Sequence, residues 1–152
     1  MVDKTFTHKM LDQQTINIQN DLLRFAPRVF ESQPVLFSYL YGSYATGSVH
    51  TFSDLDIGVY VEKTSPIKNL ELELLLSLEI DEKLGRRIES EVRVINRLPL
   101  VIKGQIVTEG TLIYSRDEIL RVDFETLVRS AYFDFLPFLR MHQKAYLDNF
   151  VT

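Results

Sequence analysis

The chain has 152 residues, 45% hydrophobic and 25% charged, with a formal net charge of −4 and no cysteine. Disulfides and thiolate metal sites are therefore excluded, and the acidic balance argues against a broad nucleic-acid surface. No apolar run is long enough to cross a bilayer and the polar start "MVDKTFTHK" is no signal peptide, so a soluble cytoplasmic protein forming one domain over residues 1–152 is expected.

Leu22, Phe25, Ala26, Val29 and Phe30 follow a helical spacing and predict a helix from about Ile16 to Phe30, kinked or restarted at Pro27. "PVLFSYLYG", rich in aromatic and β-branched residues and stopped by Gly42, predicts a strand. A short Gly-, Ser- and Thr-rich connection leads to a second strand, "DLDIGVYVE". Pro66 near one end and Gly85 just past the other delimit a helix over "SPIKNLELELLLSLEIDEKLG". The adjacent Arg86 and Arg87 read as a solvated helix end rather than as a phosphate contact.

"SEVRVI" returns to a two-residue period and predicts a third strand. Asn96 and Pro99 open a helix that stops at Gly110, and "TLIYS" is a short fourth strand. Ser115 with Glu118 fits a capping box for a long last helix. Phe124, Leu127, Val128, Ala131, Phe135, Phe138 and Leu139 mark its expected buried stripe; Tyr132, Phe133 and Leu136 widen the apolar surface towards a second face. The order of elements predicts an α/β fold with a small mixed sheet flanked by helices. His8, His50 and His142 stand far apart with no ligand spacing, and no role is assigned to them.

Chemistry concentrates in "YGSYATGSVHTFSDLDIGVYV". Alternate residues of a strand share a face, so Asp54 and Asp56 point the same way. Two carboxylates about 4 Å apart repel by roughly 4 kcal/mol at an effective dielectric of ~20, a cost that a divalent cation compensates. Oxygen-only ligands suggest Mg²⁺ or Mn²⁺ rather than zinc. Gly42 allows close backbone approach, Ser43 offers a hydroxyl and an amide, and the turn suits a phosphate. In "RIESEVRVI", Glu89, Glu91 and Arg93 share one strand face; Glu91 is the first candidate for a third carboxylate and Glu89 the next. A Gly-Ser pair spaced this way from Asp-x-Asp arises by chance in about 1 in 500 chains of this length.

The segment resembles the nucleotidyltransferase signature of the DNA polymerase beta superfamily. Within it the chain is similar to the minimal (MNT-domain) nucleotidyltransferases that act as antitoxins in HEPN/MNT toxin–antitoxin pairs. "EVRVINRLPLVIKGQIVTEGTLIYSRDEILRVDFETLVRSAYFDFLPFL" is similar to that family's later half. The resemblance implies that Gly42, Ser43, Tyr44 and Ser53 border the ATP site and that Asp54, Asp56 and Glu91 are catalytic and bind Mg²⁺ or Mn²⁺. Glu91 falls where the family usually has Asp, and Tyr44 where relatives often have Arg. The implied activity is transfer of AMP from ATP to a tyrosine of a HEPN-family RNase toxin, within a heteromeric complex, with no direct nucleic-acid or membrane contact. The alternatives are an antitoxin that neutralises by binding alone and a nucleotidyltransferase with a different acceptor.

Overall fold

The computed structural model describes residues 3–50, 52–63 and 65–151. Helix α1 (Lys4–Glu31) begins at Asp3, whose carboxylate accepts from Thr5 N at 3.0 Å. It starts twelve residues before the sequence expectation and continues through Pro27. The proline deprives Leu23 of its usual i+4 donor. Leu23 is half exposed, whereas Ile18, Leu22, Ala26, Val29 and Phe30 hold the helix against the sheet on either side of that point. Packing on the buried face outweighs one missing bond on the other.

The strands are β1 (Val35–Tyr41), β2 (Leu55–Val61), β3 (Ser90–Val94) and β4 (Thr111–Ser115). They form one four-stranded sheet in the order β3-β2-β1-β4. β1 is antiparallel to both β2 and β4, while β2 and β3 are parallel and joined by the crossover helix α3 (Pro66–Lys83). A short helix α2 (Ser43–Thr46) joins β1 to β2; α4 (Leu100–Glu109) precedes β4, and α5 (Glu118–Val151) follows it.

Period-two alternation divides the sheet into two faces. Leu55, Ile57, Val59 and Val61 of β2, with Val92 and Val94 of β3, pack in one buried cluster with residues of α1 and α3. On the opposite face Phe37, Tyr39, Ile95 and Ile106 form a second cluster joined by Leu120 and Phe124 of α5. Asp56 belongs to this second face by strand parity, at the end of the sheet beyond the α5 contacts.

Two sequence expectations for α5 change. Asp117 caps the helix by accepting from Leu120 N at 3.0 Å, in place of a Ser115–Glu118 capping box. The packed line is Leu120, Phe124, Val128 and Tyr132, one residue every four, with Val128 buried and the others half-buried. Leu127 and Phe138, expected in the core, are 73% and 62% exposed. The reason for the new line lies on α4: a Cβ at Gly104 would meet the Tyr132 ring at 2.2 Å. The bare glycine lets the ring lie on the α4 backbone, and that contact sets the rotation of α5.

Candidate active site

The site is built where β1 ends and where β2 and β3 begin. After Tyr41 the chain turns at Gly42, with φ +69° and ψ −153°, a conformation costly for any residue with a Cβ. A Cβ there would lie 2.3 Å from Asp56 Oδ2. Glycine is thus required twice, by the backbone and by the carboxylate beside it. The Gly42 carbonyl accepts from Ala45 N at 3.1 Å and Thr46 N at 3.2 Å, which winds α2 with Ser43 as its first residue. Tyr44 is buried, and its carbonyl accepts from the Gln19 side chain of α1, fixing the turn to the core.

On the next strand, Asp54 precedes β2 and Asp56 lies within it. Asp56 pairs with Tyr41 on one side and with Glu91 on the other. Register therefore places Glu91 directly beside Asp56, whereas the Glu89 carbonyl accepts from Leu55 N at 3.0 Å, one step nearer Asp54. The carboxyl of Asp56 is held above the ordinary aspartate value, first by burial, then by the charges of Glu91 and Asp54, with Arg93 opposing. Three acidic groups thus act on one another across two strands.

Arg93 Nε lies 4.0 Å from Glu91 Oε1. Burial raises the pKa of the neighbouring Tyr41 hydroxyl, Asp56 adds to the rise, and Arg93 opposes it as a charge and hydrogen-bond partner. Among the described residues, no three His, Cys, Asp or Glu side chains are gathered closely enough to form a ready-made metal cage. The Glu91 side chain is 58% exposed and in reach of Arg93. The donors nevertheless fit a hard divalent cation: all are carboxylate oxygens, and bare Gly42 lets the Asp56 carboxylate lie against the turn where a Cβ would displace it.

Ser53 braces the entry to β2. Its hydroxyl accepts from His50 N at 2.9 Å and its own N–H donates to the His50 carbonyl at 3.0 Å. A cleft of about 330 Å³ opens beside this turn, walled by Tyr44, Ser53, Asp54, Arg86, Arg87 and Glu89 among others. Burial and the nearby Asp54 charge raise the Tyr44 hydroxyl above its ordinary pKa. The sequence reading brought Asp54, Asp56, Glu91 and the Gly42–Ser43 turn to one place. It missed His50, Arg86 and Arg87, which wall the cleft beside Asp54. The adjacent pair of arginines was the available signal, but no local pattern says that the α3–β3 loop ends beside Asp54.

The family model described as Polymerase beta, Nucleotidyltransferase matches residues 27–119. No curated protein matches the chain by sequence. Among solved structures, a mutant of the toxin–antitoxin pair MntA-HpeT contains a chain 17% identical to this one, with a TM-score of 0.60, covering 86% of this chain and 98% of that chain. A tri-AMPylated Shewanella oneidensis HEPN toxin in complex with MNT antitoxin gives 18% identity and a TM-score of 0.57, over 89% of this chain and 99% of that one. A toxin–antitoxin with AMP-PNP gives 21% identity and a TM-score of 0.54, over 90% and 98%. At these identities the likeness is one of fold, and it extends well beyond the matched family segment.

Proposed function

From the premise that the chain belongs to the polymerase beta nucleotidyltransferase family, we propose that residues 1–152 act as one minimal adenylyltransferase domain and antitoxin, which transfers AMP from ATP to a tyrosine of a HEPN-family RNase toxin. The observation that carries the chemistry is the register: Glu91 stands beside Asp56 across β2 and β3, and Asp54 lies two residues before Asp56. The AMPylated toxin and the AMP-PNP in structures of similar fold support the choice of reaction and nucleotide.

Asp54, Asp56 and Glu91 would hold Mg²⁺ or Mn²⁺. Bound there, the cation would neutralise the phosphates and polarise the phosphorus under attack. Gly42 keeps the approach to Asp56 open, and the Ser43 amide and hydroxyl offer hydrogen bonds to phosphate oxygens. Tyr44 and Ser53 wall the cleft on the Asp54 side. Glu91, the more exposed carboxylate, accepts the proton of the tyrosine hydroxyl as it attacks. The new bond joins the tyrosine oxygen to the α-phosphorus; the bond to the β-phosphate bridging oxygen breaks, and pyrophosphate leaves with that electron pair. Rotation of Glu91 away from Arg93 is the side-chain movement this role requires.

The partner would dock on α5, whose outer half carries exposed Phe133, Phe138, Met141, Leu147 and Phe150. A run of large apolar side chains of this extent is characteristic of an interaction surface. The test is incubation of the purified protein with labelled ATP, Mg²⁺ and a co-expressed cognate HEPN-family RNase. The expected result is an adduct of AMP on a toxin tyrosine and loss of RNase activity. RNase inhibition without an adduct would leave only binding, and absence of both would overturn the reading.

A further inference from the structure

We propose that Arg86 is a nucleotide-binding residue that grips the terminal phosphates of the triphosphate, the portion released as pyrophosphate. The proposal rests on the nucleotidyltransferase reading of the site and adds a residue outside its sequence motif. Arg86 has φ +56° and is the single non-glycine residue with positive φ among those described. A Cβ in that conformation is strained, which glycine would avoid, as Gly85 does one position earlier. The backbone is held there by the Arg86 N–H, which donates to the Asp81 carbonyl at 2.8 Å.

The side chain does not offset this cost within the fold. It makes no hydrogen bond or ion pair with any described residue, whereas Arg87 is committed to the Asp21 carboxylate and to the Leu84 carbonyl at 2.7 Å. Arg86 instead walls the cleft beside Asp54, Ser53 and Glu89. A triphosphate entering between these two carboxylates needs a cation not already paired, and a guanidinium suits phosphate oxygens. Asp56 and Glu91 do not line this cleft. Arg86 is therefore set away from Asp56 and Glu91, on the side left for the leaving phosphates if the α-phosphorus is attacked beside those two carboxylates.

The experiment compares the unaltered protein with Arg86→Gly, which suits the local backbone, and Arg86→Lys, which keeps the charge. Each is titrated calorimetrically with ATP and with AMP in Mg²⁺ and melted without nucleotide. Arg86→Gly is expected to weaken ATP binding about tenfold and AMP binding less than about twofold, with a melting temperature unchanged within about 2 °C or raised; Lys recovers part of the loss. Unchanged ATP affinity, or equal losses for ATP and AMP, would overturn the proposal. So would a melting temperature lowered in both variants, which would make Arg86 part of the framework. If the unaltered protein binds no ATP in Mg²⁺, the nucleotidyltransferase reading has failed; if it binds and Arg86→Gly binds equally, only the role of Arg86 has.

Discussion

At Gly42 two independent constraints meet, a positive φ and a carboxylate oxygen 2.3 Å from where a Cβ would be. Gly42→Ala should cost about 1–3 kcal/mol from the backbone alone, seen as a lower melting temperature. It should also lose transfer activity out of proportion, because the methyl displaces Asp56. Asp56 gives a prediction of opposite sign. Its folded pKa is raised by burial and by Glu91 and Asp54, so stability falls as pH rises from the unfolded value through the folded one. Asp56→Asn removes that loss and should melt higher than the unaltered protein at neutral pH, the gain fading at pH below the ordinary aspartate value. Transfer should fall by roughly 100-fold or more, beyond the 10–100-fold typical of outer-shell ligand partners. A drop in melting temperature would instead make the carboxylate structural. The β2–β3 register favours Glu91 over Glu89, so Glu91→Gln should reduce turnover sharply and Glu89→Gln much less. The reverse ranking in a single-turnover assay would move the proton acceptor to Glu89.

Among the elements, α5 separates two aromatic residues that the sequence places together. Tyr132 lies on the α4 backbone at Gly104, while its neighbour Phe133 is 54% exposed. Tyr132→Ser should therefore lower stability by about 1–3 kcal/mol, less than the 3–5 kcal/mol of a fully buried ring. Phe133→Ser should stay within about 0.5 kcal/mol and still lose the proposed HEPN-family partner in a pull-down. If Phe133→Ser retains the partner, the docking surface lies elsewhere. Helical periodicity identified α5 as amphipathic and expected Phe124, Leu127, Val128, Ala131, Phe135, Phe138 and Leu139 to be buried; Phe124 and Val128 do pack, but Leu127, Ala131, Phe135 and Phe138 are exposed. That helix has apolar residues around much of its circumference, so its own pattern could not choose a face. Gly104, on a different helix, made the choice. In α1 the local rule against proline was likewise overruled by packing, since Pro27 falls where Ile18, Leu22, Ala26, Val29 and Phe30 hold both halves against the sheet.

Across the whole molecule, the carboxylates and the cleft predict that ATP binds only with a divalent cation. Calorimetry should show affinity in Mg²⁺ or Mn²⁺ and none comparable in excess chelator; equal binding there would remove the metal from the proposal. None of the helices described is long and apolar enough to cross a membrane. The sequence by itself determined the strands and the Gly42–Ser43 turn, because each depends on neighbours within about ten residues and the strands on a two-residue period. Strand parity alone could not choose between Glu89 and Glu91, and Glu91 was preferred only through the family resemblance. Only the tertiary structure decided between their positions, by setting Glu91 against Asp56 in a parallel pairing that no local pattern encodes. The same long-range folding carried Arg86 and Arg87 to the Asp54 cleft: α3 returns the chain to the carboxylate end of the sheet, so a loop more than thirty residues further along the chain becomes a wall of the site.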